Sequence, residues 1–283
     1  MKNLIYTIAA GGEKYLNMFD CFFKSLKSSN SLDALDVWVF TDSLNVDKLK
    51  EKYGEEISVI ACTMHPNVFP NFNNVKFEIH RHLPTEDYAY VLYSDIDILV
   101  NGDLNDIFKV IQEDKIYAMH ERGCTFKACL SDAYHFYSIY GEHQQHYLVD
   151  NNASLYCAGF FGFYAHSQKI KELFSACLNI FDNAPNLTNL IPLTGSKPGK
   201  GKLTKIIDQA VFNTCMSFEP LLHGRESCLA AFPGRLVCAP PFDLNYNHVI
   251  LHFIHPFKDE RLPNDKLEAM QFFLNQQHQY LKA

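Results

Sequence analysis

Two aspartates, Asp95 and Asp97, stand one residue apart inside an otherwise apolar run, Val91-Leu-Tyr-Ser-Asp-Ile-Asp-Ile-Leu-Val100. Burying two bare carboxylates is costly. At an effective dielectric of about 20, like charges about 4 Å apart repel by roughly 4 kcal/mol. A cation beside them relieves that cost, and a divalent metal is the simplest candidate. Hard oxygen ligands suit Mg²⁺ or Mn²⁺, ions that usually complete their shells with substrate phosphates. The run therefore reads as a buried strand ending in two acids that hold a metal and a diphosphate, at the strand end where open α/β sheets bind ligands. The plainer reading makes Asp95 the start of a turn and Asp97 a solvated edge residue, since Asp-x-Asp is short enough to recur by chance. The apolar flanks on both sides favour the first reading.

Four further groupings carry chemistry or resemble it. In Ile206-Ile-Asp-Gln-Ala-Val-Phe-Asn213, a carboxylate and a carboxamide follow an apolar pair at a helix start. An Asp there also serves as an ordinary helix cap. In Val249-Ile-Leu-His-Phe-Ile-His-Pro-Phe-Lys258, His252 and His255 lie on or just past an apolar strand. A histidine there is more often a satisfied polar residue, but neutral imidazole is also a good metal ligand. Gly195-Ser-Lys-Pro-Gly-Lys-Gly-Lys202 looks like a phosphate loop, yet Lys200 stands where the second glycine belongs, which leaves a basic loop. His143 and His146 have zinc-like spacing but neither the Glu nor a nearby Cys that a zinc site needs. No nucleophile-elbow or dinucleotide fingerprint is present in the sequence.

The elements that must position these groups follow from periodicity. Residues 4–9 form an apolar strand broken by Gly11-Gly12, and residues 13–28 an amphipathic helix with Tyr15, Met18, Phe19, Phe22, Phe23 and Leu26 on one face. A strand over 36–42, a helix over 46–53 and a strand over 57–62 complete β-α-β-α-β. That order begins a mainly parallel sheet with helices on both faces. Residues 69–74 read as a loop and 75–83 as a helix before the acidic strand; a turn and short helix over 102–112 and a strand over 116–120 follow. Residues 121–155 and 186–205 lack a clean period and read as binding or closing loops. Between and beyond them come a strand over 155–165, helices over 168–181 and 208–217, strands over 236–241 and 249–253, and a final helix over 265–282 with an apolar stripe. That stripe is suited to the core, another subunit or a membrane surface, the core being the simplest.

At 283 residues and 47% hydrophobic, the chain has ample material for a core, and no linker divides it, which favours one domain. Within that domain the expected division is 1–120, 121–260 and a terminal helix over 261–283. A net charge of −7 disfavours general nucleic-acid binding. The nine cysteines form no C-x-x-C pair. The sequence shows neither a signal-type apolar start nor a run able to span a bilayer. These features predict a reduced, cytoplasmic protein with no transmembrane segment, with peripheral membrane contact and oligomeric state left open.

Taken in order, these pieces resemble nucleotide-sugar glycosyltransferases of the GT-A fold, and most of all glycosyltransferase family 8, the glycogenin and lipopolysaccharide galactosyltransferase type. The resemblance runs from Leu4 to about Lys258. It implies one GT-A (Rossmann-like) α/β domain and transfer of a sugar, with retention, from a UDP-hexose to a glycan, lipid or protein acceptor. Within it, Thr7, Ile8 and Ala9 hold the uracil ring, and Lys76 touches the donor. Asp95, Asp97 and His252 ligate Mn²⁺ (or Mg²⁺), Asp208 and Gln209 line the sugar pocket, and Lys258, six residues after His252, binds the diphosphate. The chain departs from the family at Cys157-Ala-Gly159, where Asn-x-Gly is usual, at His255 in place of a glycine, and at Asp259-Glu260 in place of Pro-Trp. The strand Tyr156-Cys-Ala-Gly-Phe-Phe-Gly162 is also similar to the blood-group-type transferases, which lack the Asp-Gln pair. The alternatives are an inverting GT-A enzyme, a sugar nucleotidyltransferase and a silent nucleotide-sugar-binding module.

Overall fold

In a computed structural model the structure describes residues 1–29, 32–64, 68–69, 72–125, 154–183, 206–222, 224–238, 248–253 and 262–280. The first stretch of chain forms β1 (Lys2–Ile8), α1 (Glu13–Ser28), β2 (Leu35–Thr41), α2 (Val46–Tyr53), β3 (Ser58–Ala61) and β4 (Val68–Phe69). Next come α3 (Ile79–His82), β5 (Tyr88–Ser94), β6 (Ile98–Val100), α4 (Asn105–Phe108), β7 (Ile116–Thr125) and β8 (Ser154–Tyr164). The remainder is α5 (Gln168–Asn183), β9 (Ile206–Ile207), α6 (Asp208–Asn213), α7 (Glu219–Leu222), β10 (Leu229–Ala231), β11 (Val237–Cys238), β12 (Ile250–His252) and α8 (Lys266–Tyr280). The fold is α/β with mainly parallel strands, as the sequence predicts.

The chain divides into two compact units, one built from 1–62, 87–111 and 232–283, the other from 63–86 and 112–231. In the first unit β5, β1, β2 and β3 lie side by side and all parallel, with β1 in the middle. Leu4, Ile5 and Tyr6 on β1 are fully buried, as is usual for a parallel strand covered on both faces. The apolar face of α1 supplies Phe19, Phe22, Phe23 and Leu26, and Phe19 and Phe23 each meet the Tyr53 ring edge-on. Tyr15, expected on that buried face, is instead half exposed. It belongs to the first turn, where its ring covers Gly11: a Cβ on that glycine would stand 3.1 Å from Tyr15 Cδ2. Buried Ser25 ties α1 to β6, since its Oγ donates to the Phe22 carbonyl and accepts from the Val100 amide at 2.9 Å.

In the second unit β7 pairs antiparallel with β8 and parallel with β10, a strand too short for periodicity to reveal. The core there is aromatic, with Phe77, Phe161, Phe163, Phe174, Phe181 and Phe212 in ring contact. The helix expected over 75–83 is a 3₁₀ turn over Asn73–Phe77 followed by the single turn of α3. Asn74, Val75, Lys76 and Phe77 are all buried, a run that no amphipathic helix accommodates. The helix expected over 208–217 is present but changes character: α6 ends at Asn213 and continues as a π-helix over Thr214–Phe218 into α7. Met216 gives its carbonyl to the Cys228 amide at 2.7 Å, diverting it from the helical ladder. No helix among the described residues is long and apolar enough to cross a membrane.

Candidate active site

The acidic run departs from a single strand ending in two acids. β5 stops at Ser94, Asp95 to Asp97 form a turn, and Ile98 to Val100 start β6, which pairs antiparallel with β12. In that register Ile98 faces His252, and the Phe253 amide donates to the Asp97 carbonyl at 2.8 Å. The turn thus delivers Asp97 to His252 from a point far away in sequence. One ligand atom each from Asp95, Asp97 and His252 falls within 4.8 Å of the others. Asp95 accepts a short hydrogen bond from the Tyr93 hydroxyl, which fixes one of its oxygens.

The two oxygens of Asp97 have different surroundings. Oδ1 lies 3.2 Å from Nε2 of His252 and makes no hydrogen bond among the described residues. Oδ2 accepts from the ammonium of Lys266, 2.5 Å away. Burial alone would raise the Asp97 pKa, but His252 and Lys266 outweigh it and hold the carboxyl well below the usual carboxylate range. Asp97 is therefore an anion in a nearly closed place. Its orphaned Oδ1 and the neighbouring imidazole and carboxylate form a hard O,O,N set that fits Mn²⁺ or Mg²⁺. Sequence reasoning missed Lys266, which looks like one more polar residue at the start of a surface helix.

Thr7 is fully buried at the end of β1, and its Oγ1 has no hydrogen-bond partner among the described residues. The Ala9 carbonyl accepts from Thr41 Oγ1 at 2.6 Å, and the Ala9 amide donates to Phe40. Just beyond, Gly11 adopts a φ of 109°, a conformation that favours glycine. Its amide donates to Asp42 Oδ2 and its carbonyl accepts from Asn45 Nδ2. Asp42 and Asn45 thus shape the loop that follows Thr7, Ile8 and Ala9.

In the second unit Lys76 meets Asp208, the chain neighbour of Gln209 at the start of α6. Lys76 is 2% exposed, and its Nζ lies 2.6 Å from Asp208 Oδ2 and 3.3 Å from the Ala158 carbonyl. Buried Asn213 accepts from the Tyr156 amide at 2.9 Å and donates to the carbonyls of Tyr156 and Gln209. It fastens α6, and with it the Asp-Gln pair, to β8. Asn213 escaped sequence reasoning; its only signal is a position one helical turn past Gln209. Lys258, His255, Asp259-Glu260, the Gly195–Lys202 stretch, His143, His146 and residues 126–153 and 186–205 lie outside the described residues.

Solved structures with a similar fold include the galactosyltransferase LgtC in complex with donor and acceptor sugar analogues, at 13% identity and a TM-score of 0.57 over 96% of this chain and 95% of that one. The glycosyltransferase GlyE of Streptococcus pneumoniae TIGR4 is similar at 16% identity and a TM-score of 0.51, over 99% of this chain and 64% of that one. The bifunctional glycosyltransferase WbbM is similar at 13% identity and 0.55, over 97% and 49%. No curated protein matches the chain significantly. The fold is therefore of the GT-A type. The chain belongs to glycosyltransferase family 8, whose model matches residues 8–216, and it is a glycosyltransferase acting on a sugar donor and an acceptor. His252 and Lys266 both lie beyond the matched residues.

Proposed function

We propose that the protein transfers a hexose from a UDP-sugar to a glycan, lipid or protein acceptor, with retention and with Mn²⁺ or Mg²⁺ as cofactor. The convergence of Asp95, Asp97 and His252 within 4.8 Å, with Asp97 Oδ1 lacking a hydrogen bond among the described residues, carries this reading. Family 8 membership supports the nucleotide-sugar donor and the divalent ion. Asp95, Asp97 and His252 would hold the ion. When bound, it supplies charge that stabilises the departing diphosphate.

The chain's own residues divide the remaining work. Thr7, Ile8 and Ala9 receive the uracil ring, and Lys258 neutralises the diphosphate. Asp208, held by Lys76, orients the sugar hydroxyls; Lys76 thus serves the donor through a buried carboxylate. Gln209 turns its carboxamide oxygen to the oxocarbenium-like sugar, and the acceptor hydroxyl attacks on the face the diphosphate leaves. Residues 121–155 and 186–205 bind the acceptor and exclude water.

The test is a panel of UDP- and GDP-sugars with Mn²⁺ or with chelator, reading nucleoside diphosphate released with and without candidate acceptors. Release from one UDP-hexose that chelator abolishes is the expected result. Turnover indifferent to chelator would remove the metal from this reading, and product of inverted configuration would remove retention.

A further inference from the structure

We propose that Lys266 is a working cation of the diphosphate site, sharing Asp97 with the divalent ion and coupling metal binding to nucleotide binding. This rests on the reading of Asp95, Asp97 and His252 as the metal ligands and adds a residue that neither the sequence nor the family match assigns.

The lysine is placed there by construction. Asp265, the residue before it, caps α8: its Oδ1 accepts from the amides of Leu267 and Glu268 at 2.9 and 3.3 Å. Its Oδ2 accepts from Lys14 in the first turn of α1, at 2.5 Å. The start of α8 is thereby tied to the start of α1, just past the loop that follows Thr7, Ile8 and Ala9. Further along, Ala269, Met270, Phe273 and Leu274 are buried, and Phe273 meets Phe253, the neighbour of His252, edge-on. The helix packing that supports His252 therefore also aims Lys266 at Asp97, where Nζ sits 2.5 Å from Oδ2. A third of the Lys266 side chain remains exposed, so its ammonium is within reach of a ligand's phosphates.

The consequence is electrostatic. An ammonium and a dication on one carboxylate repel each other, so Lys266 opposes binding of the metal by itself. A nucleoside diphosphate offers the partly exposed Lys266 ammonium a second anionic partner, so the lysine shifts from Asp97 toward the phosphates and leaves the carboxylate to the dication, which ends the opposition. Metal and nucleotide then strengthen each other's binding by the same factor, as linkage requires. Lys266 supplies part of that factor, and it favours loading of the ion together with the donor.

Mn²⁺ binding, read from the electron paramagnetic resonance signal of free Mn²⁺, tests this without turnover. Wild type, Lys266→Met and Lys266→Arg would be titrated with Mn²⁺ alone and with Mn²⁺ at saturating UDP, and UDP affinity measured alone by calorimetry. In Lys266→Met, Mn²⁺ alone should bind about tenfold tighter and UDP alone several-fold weaker, on the order expected for one partly exposed charge. The gain in Mn²⁺ affinity on adding UDP should shrink, and Lys266→Arg should stay near wild type. Unchanged or weaker Mn²⁺ binding in Lys266→Met, in a variant that keeps its thermal unfolding midpoint, overturns the proposal while leaving the metal site intact. Asp95→Ala separates the two ideas: if it leaves wild-type Mn²⁺ affinity unaltered, the metal site itself is wrong and the role of Lys266 falls with it.

Discussion

The ammonium of Lys76 lies 2.6 Å from Oδ2 of Asp208, with only 2% and 8% of the two side chains exposed. A buried pair of this kind contributes little net stability, but removing one partner strands the other's charge, typically at a cost of about 3–5 kcal/mol. Lys76→Met should therefore lower stability in urea by about that amount. The double variant Lys76→Met/Asp208→Asn should recover part of the loss. A double variant no more stable than Lys76→Met would mean that Lys76 matters for packing rather than for its charge.

Asp97 carries the site's buried anion, with Oδ1 beside His252 and Oδ2 on Lys266. Asp97→Ala should abolish metal-dependent turnover and reduce Mn²⁺ affinity by at least about a hundredfold, a typical loss for deleting a ligand rather than an outer partner. Full retained activity would dismiss the metal-site reading.

Gln209 sits on the first turn of α6, with its carbonyl held by Asn213. Gln209→Ala should cut kcat by about 10²–10³-fold, the usual scale for one group that stabilises transition-state charge. UDP affinity should barely change. Loss of UDP binding with kcat intact would move Gln209 away from the reaction centre. Asn213→Ala should mimic a milder form of the same defect and also destabilise the fold by about 1–3 kcal/mol, because it leaves the part-buried Tyr156 amide without its Asn213 acceptor.

His80 predicts a pH dependence of stability unrelated to catalysis. Burial, reinforced by the nearby Lys171 and only partly offset by Glu86, pushes its pKa down to about 4. Nδ1 contacts Thr85 Oγ1 at 2.7 Å, Nε2 has no hydrogen-bond partner among the described residues, and the ring packs against Phe163 and Phe174. The folded protein thus keeps His80 neutral, whereas the unfolded chain protonates it below about pH 6.5. Unfolding takes up a proton in that window, so stability is fully present above pH 6.5 and declines as pH falls toward 4. The loss at pH 5 should reach about 2 kcal/mol at most. Urea midpoints at pH 7.5 and 5 should show that slope in wild type and not in His80→Gln; equal slopes would place the effect elsewhere.

Much of this molecule follows from local pattern. The alternation of short apolar runs with an amphipathic helix marks β1, α1, β2, α2 and β3 because each buries one face at its own period. Two acids against an apolar strand announce themselves as Asp95 and Asp97 because no core tolerates them without a counter-charge. The tertiary structure decided what local pattern does not encode. Antiparallel pairing of β6 with β12 sets Asp97 beside His252, and the cap on α8 brings Lys266 to Asp97 across 169 positions. The same holds for Lys76, which is turned inward to Asp208 across 132 positions where sequence periodicity suggested an ordinary helix face. Residue types and spacing determined which groups could carry charge; which charge meets which depended on strand register and helix packing, and those are set only when distant segments bury their apolar faces together.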